Sequence, residues 1–193
     1  IKSFIIQPDG KIIVAGNFTK VNAIATGAII RLNADGTLDS TFQSGTGLGG
    51  AVNCVFRQND GKYMVCGNIS NYNGVARRHI LRLNSDGTLD TGFNVPYNTN
   101  TGNVTANGFE SPLNAVAVQS DGKIIPVGNS FYVNSNRIDG IIRLNVDGTR
   151  DTSFQSLTNV SSIYYYYLTI LADGKILIKN QTSGIMKLNS NGT

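Results

Sequence analysis

Apolar positions in this chain come in short runs, some alternating with polar residues and some nearly continuous, and turn signals cut every run. "IKSFIIQ" and "KIIVAGNF" flank Pro8-Asp9-Gly10, where Pro presets the first turn angle and Gly takes the left-handed position of a three-residue hairpin loop. Both runs are rich in β-branched and aromatic residues and predict strands. A third strand, "GAIIRLN", leads through an N-x-D-G turn into a short fourth, "TLDSTF". No segment carries a helical period.

The same order recurs. "QPDGKIIVAGNF" begins at Gln7, "QNDGKYMVCGNI" at Gln58, "QSDGKIIPVGNS" at Gln119 and "LADGKILIKNQT" at Leu171. "RLNADGTLDSTF" at Arg31 returns as "RLNSDGTLDTGF" at Arg82 and "RLNVDGTRDTSF" at Arg143, and "KLNSNGT" at Lys187 is a shortened echo. The repeats are 1–50, 51–111, 112–162 and a truncated, degenerate 163–193. The extra length of the second lies in the polar tract 94–111, an insertion loop. The chain opens and closes abruptly within the repeat, so it reads as an excerpt of a longer protein.

Superimposing the copies sorts the strand faces. One face of the first strand holds Ile1/Val52/Leu113, Ser3/Cys54/Ala115 and Ile5/Phe56/Ala117; the other holds Phe4/Val55/Val116 and Ile6/Arg57/Val118. Both faces are largely apolar, which predicts small sheets covered on both sides. Sheets stacked by repetition satisfy this, so the expected fold is all-β: a β-propeller of ~50-residue repeats, about four blades, part of a larger ring. A β-solenoid is the runner-up, although its repeats are usually shorter.

"QPDGKIIVAGNF" followed by "RLNADGTLDSTF" resembles the delta-60 repeat, a β-propeller repeat of large bacterial secreted and surface proteins and some phage tail proteins. The resemblance implies blades of three or four strands and an extracellular, cell-surface or virion-tail location. The fourth copy departs from it, with Leu171 for Gln and Asn180 for Gly.

Only 15% of residues are charged, which makes the acids easy to sort. Ten of the twelve sit in repeated turns: Asp9, Asp60, Asp121 and Asp173 in the DGK turns, and Asp35, Asp39, Asp86, Asp90, Asp147 and Asp151 in the N-x-D-G-T-x-D turns. Short Asp side chains cap turn amides, and Gly10, Gly36, Gly61, Gly87, Gly122 and Gly148 supply the left-handed residue beside six of them. Only Glu110 and Asp139 fall outside the pattern, thin support for a glycosidase-type pair. As a calcium loop the turn would need ligands at Arg31 and Phe42, which cannot serve. A single histidine, His79, supports neither zinc nor a triad, and "GTGLGG" at 45–50 precedes no helix. No enzyme activity, cofactor or metal is expected.

Cys54 and Cys66 should face each other across the hairpin of the second copy. Their counterparts are small residues, and the register places them at a hydrogen-bonded pair, where cross-strand disulfides are less common; this favours free thiols.

The repeated motifs nearly balance in charge, so the net +4 comes from residues outside them. Arg77, Arg78 and His79 in "ARRHI" form the densest basic spot, and Arg137 adds another base. In "SSIYYYYLTI" Tyr165 and Tyr167 should share one strand face and pack the blade, which leaves Tyr164 and Tyr166 for contact. The expected role is structural or adhesive, binding a protein partner or a surface polysaccharide through loops 18–27, 69–79, 94–111 and 130–140. Three bases are not a nucleic-acid stripe, and no apolar run spans a membrane. The alternative is a carbohydrate-binding or carbohydrate-active propeller; the carbohydrate-active version requires Glu110, Asp139 and Arg137 to converge, whereas sugar binding would rest on the tyrosines and asparagines.

Overall fold

The structure is a computed structural model describing residues 1–95, 109, 111–128, 131–133, 136–138, 140–155, 164–181 and 184–193, with 131–133 and 136–138 described by backbone. Among the described residues the protein is all-β, and its strands fall into four antiparallel groups that follow the repeat. The first holds β1 (Ser3–Ile6), β2 (Ile12–Ala15), a small hairpin of β3 (Lys20–Val21) and β4 (Ile24–Ala25), and β5 (Ile29–Leu32). The second holds β6 (Leu48–Arg57), β7 (Tyr63–Tyr72), β8 (Val75–Ala76) and β9 (Ile80–Leu83). The third holds β10 (Leu113–Val118), β11 (Ile124–Gly128), β12 (Phe131–Val133) and β13 (Asn136–Ile138). The fourth holds β14 (Tyr165–Ile170), β15 (Ile176–Asn180) and β16 (Ile185–Leu188).

The DGK turns close their hairpins as the pattern predicts. Gln7 N–H donates to Lys11 O (2.8 Å), Gly10 N–H to Gln7 O (3.0 Å), and Gly10 sits at φ 81°. The other copies repeat this at Gln58, Gln119 and Leu171.

Leading strands lie against one another in turn: β1 beside β6, β6 beside β10, β10 beside β14. Apolar packing therefore sits between sheets rather than within them. One cluster joins Ile13, Ala15 and Ile29 of the first blade to Val55, Tyr63 and Val65 of the second. Met64 and Cys66, one residue out of phase on β7, instead join Val116, Ile124 and Ile142 of the third. A third cluster links Ile125 and Val127 to Tyr165, Ile176 and Ile178. Alternate residues of each strand thus face opposite neighbours, and no blade buries its own surface alone.

Two sequence expectations fail. "TLDSTF" is not a strand: only the single bridges Leu32↔Leu38, Leu83↔Leu89 and Leu144↔Arg150 form there. Asp39 turns the chain instead, because its carboxylate caps Thr41 N–H (2.9 Å) and Phe42 N–H folds back to Asp39 O. The face assignment also breaks within the leading strands of the second, third and fourth blades. The register shifts between Val52 and Cys54, between Leu113 and Ala115, and between Tyr165 and Tyr167. Asn53, Asn114 and Tyr166 are the extra residues of these bulges, so residues on either side point to opposite faces. Tyr165 is fully buried, whereas Tyr167 is 68% exposed rather than packed beside it.

Candidate functional site

The phrase "RLNxDGTxDxxF" builds a joint between blades. Arg31 Nε and Lys11 Nζ both donate to Asp39 Oδ2, at 2.7 and 2.8 Å. The guanidinium lies over the Phe42 ring, 5.1 Å from its centroid, and reaches into the next blade to donate to Ser85 O at 2.8 Å. Arg82, Lys62, Asp90 and Phe93 repeat the arrangement, with Val146 O as acceptor at 2.7 Å. Arg143, Lys123, Asp151 and Phe154 repeat it again, with Ser190 O as acceptor at 2.8 Å. Beside each arginine a backbone bond crosses the same seam: Gln43 N–H to Asp86 O, Asn94 N–H to Asp147 O, and Gln155 N–H to Asn191 O. The turn of the second, third and fourth blades is therefore the acceptor for the blade before it.

This divides the turn aspartates into two kinds. Asp35, Asp86 and Asp147 cap, as expected: each accepts from a threonine hydroxyl (Thr37, Thr88, Thr149) and from that threonine's N–H, which lowers their carboxyl pKa. Asp9, Asp60, Asp121 and Asp173 likewise cap the N–H of the DGK lysine. Asp39, Asp90 and Asp151 cap as well, but their other oxygen holds a buried arginine and a half-buried lysine, a role the turn pattern did not predict. The lysine bond, then the Thr41 or Ser153 hydroxyl, hold Asp39 and Asp151 far below the ordinary carboxylate range. Burial works to raise Asp90, and bonds from Lys62 and Arg82 outweigh it. Constant spacings were the available signal: the lysine lies 28 residues and the arginine 8 residues before the aspartate in three copies.

Asparagines on the leading strands, absent from the sequence reasoning, form a second seam. Asn53 Nδ2 donates to Leu113 O (2.8 Å), and Asn114 Nδ2 to Tyr165 O (2.7 Å). Each is a bulge residue whose side chain is freed from the alternating faces and reaches the next leading strand.

Cys54 and Cys66 are directly paired, as the register predicts, and they are joined in a disulfide. That corrects the free-thiol expectation. Their Cα atoms are 5.3 Å apart, inside the span a disulfide bridges, and the neighbouring bulge at Asn53 removes the pair from an undistorted ladder.

The expected contact segments are hairpins rather than open loops where described. Residues 18–27 carry β3–β4, turning through Asn22 and Ala23 (φ 48° and 68°), and 69–79 turn through Asn73 and Gly74 (φ 51° and 78°). Two successive positive angles are the type I′ signature, and "NG" at 73–74 was the available signal. Asn73 Oδ1 accepts from Gly47 N–H (2.9 Å), tying this hairpin to the segment between the first two blades.

The proposed site residues do not converge. Arg77 and Arg78 are half-buried at the foot of the β8 hairpin, and Arg77 Nη1 donates to Ala76 O. His79 is buried, with Nδ1 3.1 Å from Gly67 O. It holds φ 64° at a position taken by Ala28 (59°), Gly140 (68°) and Gly184 (79°) in the other blades. Tyr164 and Tyr166 are exposed at the leading strand of the fourth blade. Glu110, Asp139, the side chain of Arg137 and most of 94–111 lie outside the described residues. Among the described residues no group of three or more His, Cys, Asp or Glu gathers where it could hold a metal ion.

Residues 7–42, 58–93 and 119–154, more than half of the chain, match the family described as a domain of unknown function (DUF5122) beta-propeller. The chain belongs to this family. The matched segments run from the DGK hairpin to the phenylalanine under the arginine, so each contains the lysine, arginine, aspartate and phenylalanine of one joint. Among solved structures the protein is similar to a protein of unknown function from Bacteroides caccae, with TM-score 0.50 and 13% identity over 99% of this chain and 64% of that one. It is also similar to the extracellular domain of a hybrid two-component system from B. thetaiotaomicron, with TM-score 0.51 and 14% identity over 97% of this chain and 21% of that one. The chain thus spans under two thirds of either neighbour's length. No curated protein sequence matches it.

Proposed function

We propose that this protein is a non-catalytic binding module of an extracellular or cell-surface protein, a rigid propeller that presents its variable hairpins to a protein partner or an acidic surface polysaccharide. One observation carries the reading. The repeated charged residues are consumed in joints between blades or in capping their own turns, so the unrepeated hairpins 18–27 and 69–79 are what distinguishes one blade from another. Repetition fixes a scaffold and frees its outer segments for recognition. The net charge of +4 from residues outside the motifs suits an acidic partner. The disulfide and the extracellular domain among the structural neighbours support an oxidising, external location. The delta-60 kinship, and with it a secreted or phage-tail host, belongs to this proposal.

The test is binding to an immobilised acidic polysaccharide, with and without Arg77→Ser and Arg78→Ser. Salt-sensitive binding that drops at least tenfold in the double variant is expected. Replacing segment 69–79 by residues 18–27 with no loss of binding would sink the reading.

A further inference from the structure

Where the DGK turns of two neighbouring blades meet, the first and third seams are filled differently. In the first, Gln7 Nε2 donates across the seam to the Tyr63 hydroxyl at 2.6 Å, and Arg57 lays its guanidinium against Gly61. In the third, Ile176 and Ile170 stand at the places of Tyr63 and Arg57. Gln119, with no hydroxyl opposite, turns to Arg143 instead: its Nε2 donates to Ser190 O (3.0 Å) and its Oε1 accepts from Arg143 Nη1 (3.2 Å). Gly174, the counterpart of Gly61, is left bare on the wall of a cleft of about 440 Å³. Gln119, Ser120 and Asp121 form one wall, residues 170–174 form the other, and Arg143 and Ser190 lie between them. Both walls belong to this chain. In the second blade the residues that follow the DGT turn, Asp90 and Phe93, serve the seam after that blade, so the seam before the fourth blade needs no counterpart of them.

The charges around this cleft are matched. Arg143 and Lys123 share Asp151, and Asp121, which caps the Lys123 N–H, adds the second acid. Asp173 meets Lys175 Nζ at 3.4 Å. A ligand charged in either sense finds no counter-charge to spare, and its desolvation would go uncompensated. What the cleft does offer is the Asp121 oxygen that does not cap, the exposed hydroxyls of Ser120 and Ser190, and an aliphatic strip at Ile170 and Leu171. Arg143 and Gln119 are buried and already hydrogen-bonded, so the cleft is formed before anything enters it. Its volume lies in the range of small-ligand clefts. We propose that the cleft between the third and fourth blades binds a neutral pyranose sugar, with ring hydroxyls on Asp121, Ser120 and Ser190 and an aliphatic C–H face on Ile170. A pyranose matches this lining because it carries hydroxyls on its edge and C–H groups on its faces. The site lies apart from hairpin 69–79 and does not rest on the acidic-partner reading.

The experiment is an amide NMR titration of the 193-residue chain with glucose, galactose and N-acetylglucosamine, each to ~50 mM, well above a ~1 mM Kd. At least one sugar should give saturable shifts at the amides of 119–121 and 170–174. Ile170→Arg installs the side chain that Arg57 carries in the first seam, where the fold accepts it, and should abolish the response. Asp121→Asn keeps an oxygen to cap the Lys123 N–H and should weaken binding about fivefold, as a charged acceptor becomes a neutral one. Circular dichroism melts establish that both variants fold. Arg77→Ser with Arg78→Ser, which tests the hairpin reading, should leave sugar binding intact; a loss there would place the sugar on the hairpin and overturn the assignment. Shifts that persist in Ile170→Arg overturn it too, as does silence from all three sugars. A response to putrescine and to no sugar would make the cleft a cation site and overturn the proposal as well.

Discussion

Arg82 and Val146 belong to different blades, and a 2.7 Å hydrogen bond from the arginine guanidinium to the valine carbonyl joins them. The same guanidinium grips Asp90 and covers Phe93, so one side chain holds a turn, an aromatic ring and a neighbouring blade together. Arginine suits this place because its planar fork donates in several directions at once, which a lysine ammonium on a single stem does less well. Replacing Asp90 by Ala strands Arg82, and partly Lys62, without their counter-charge, and the expected cost is about 3–5 kcal/mol in urea unfolding. Asp86→Ala, which removes an exposed cap, should cost only about 1 kcal/mol. Equal losses from the two would mean that the hub is no more than a cap.

Acid should open these joints. The folded carboxyls of Asp39, Asp90 and Asp151 lie below their ordinary value: the lysine bond and then the Thr41 or Ser153 hydroxyl lower Asp39 and Asp151, and at Asp90 bonds from Lys62 and Arg82 outweigh burial. A depressed folded pKa gives stability that is complete above the unfolded value of ~3.9 and lost as pH falls toward the folded one. The melting temperature should therefore hold near neutrality and drop steeply below about pH 4. Asp90→Asn should start lower and show a shallower acid limb. A variant whose limb matches the wild type's would assign acid unfolding to other groups.

Two glycines separate backbone strain from crowding. Gly36 holds φ +85° with nothing near a would-be Cβ, so Gly36→Ala should cost about 1 kcal/mol through conformation alone. At Gly67, opposite the Asn53 bulge, a Cβ would collide with the Ala51 carbonyl and the Asn53 amide. Gly67→Ala must displace the bulge and should cost more than Gly36→Ala. Chemical denaturation of both variants reads the difference.

The Cys54–Cys66 disulfide closes a short loop, 12 residues apart in sequence. On the chain-entropy estimate its reduction should lower stability by at most about 3 kcal/mol. Thiol titration of the unfolded, unreduced protein should find no free thiol, and two thiols after reduction.

The sequence by itself determined the repeat, the DGK hairpins and the all-β propeller class. These follow from local chemistry: Pro-Asp-Gly closes a turn whatever surrounds it, and alternating apolar residues make a strand with two faces to cover. Even the partnership of Cys54 with Cys66 is register arithmetic across one hairpin. What the repeated carboxylates do was only half legible. Asp35 and Asp39 look alike in "NADGTLD", yet one bonds its own turn and the other meets Arg31 and Lys11 beside the next blade. The bulge at Tyr166 likewise put Tyr165 and Tyr167 on opposite faces rather than the expected common one, because one unpaired residue shifts the phase of a period-2 pattern. His79 read as a surface base because no local signal marks a left-handed residue folded back onto Gly67. Turns and strands are set by neighbours in sequence; which charge is buried, which face is covered and which hairpin stands free were decided only when the blades were stacked, since the groups that cover them lie some fifty residues away.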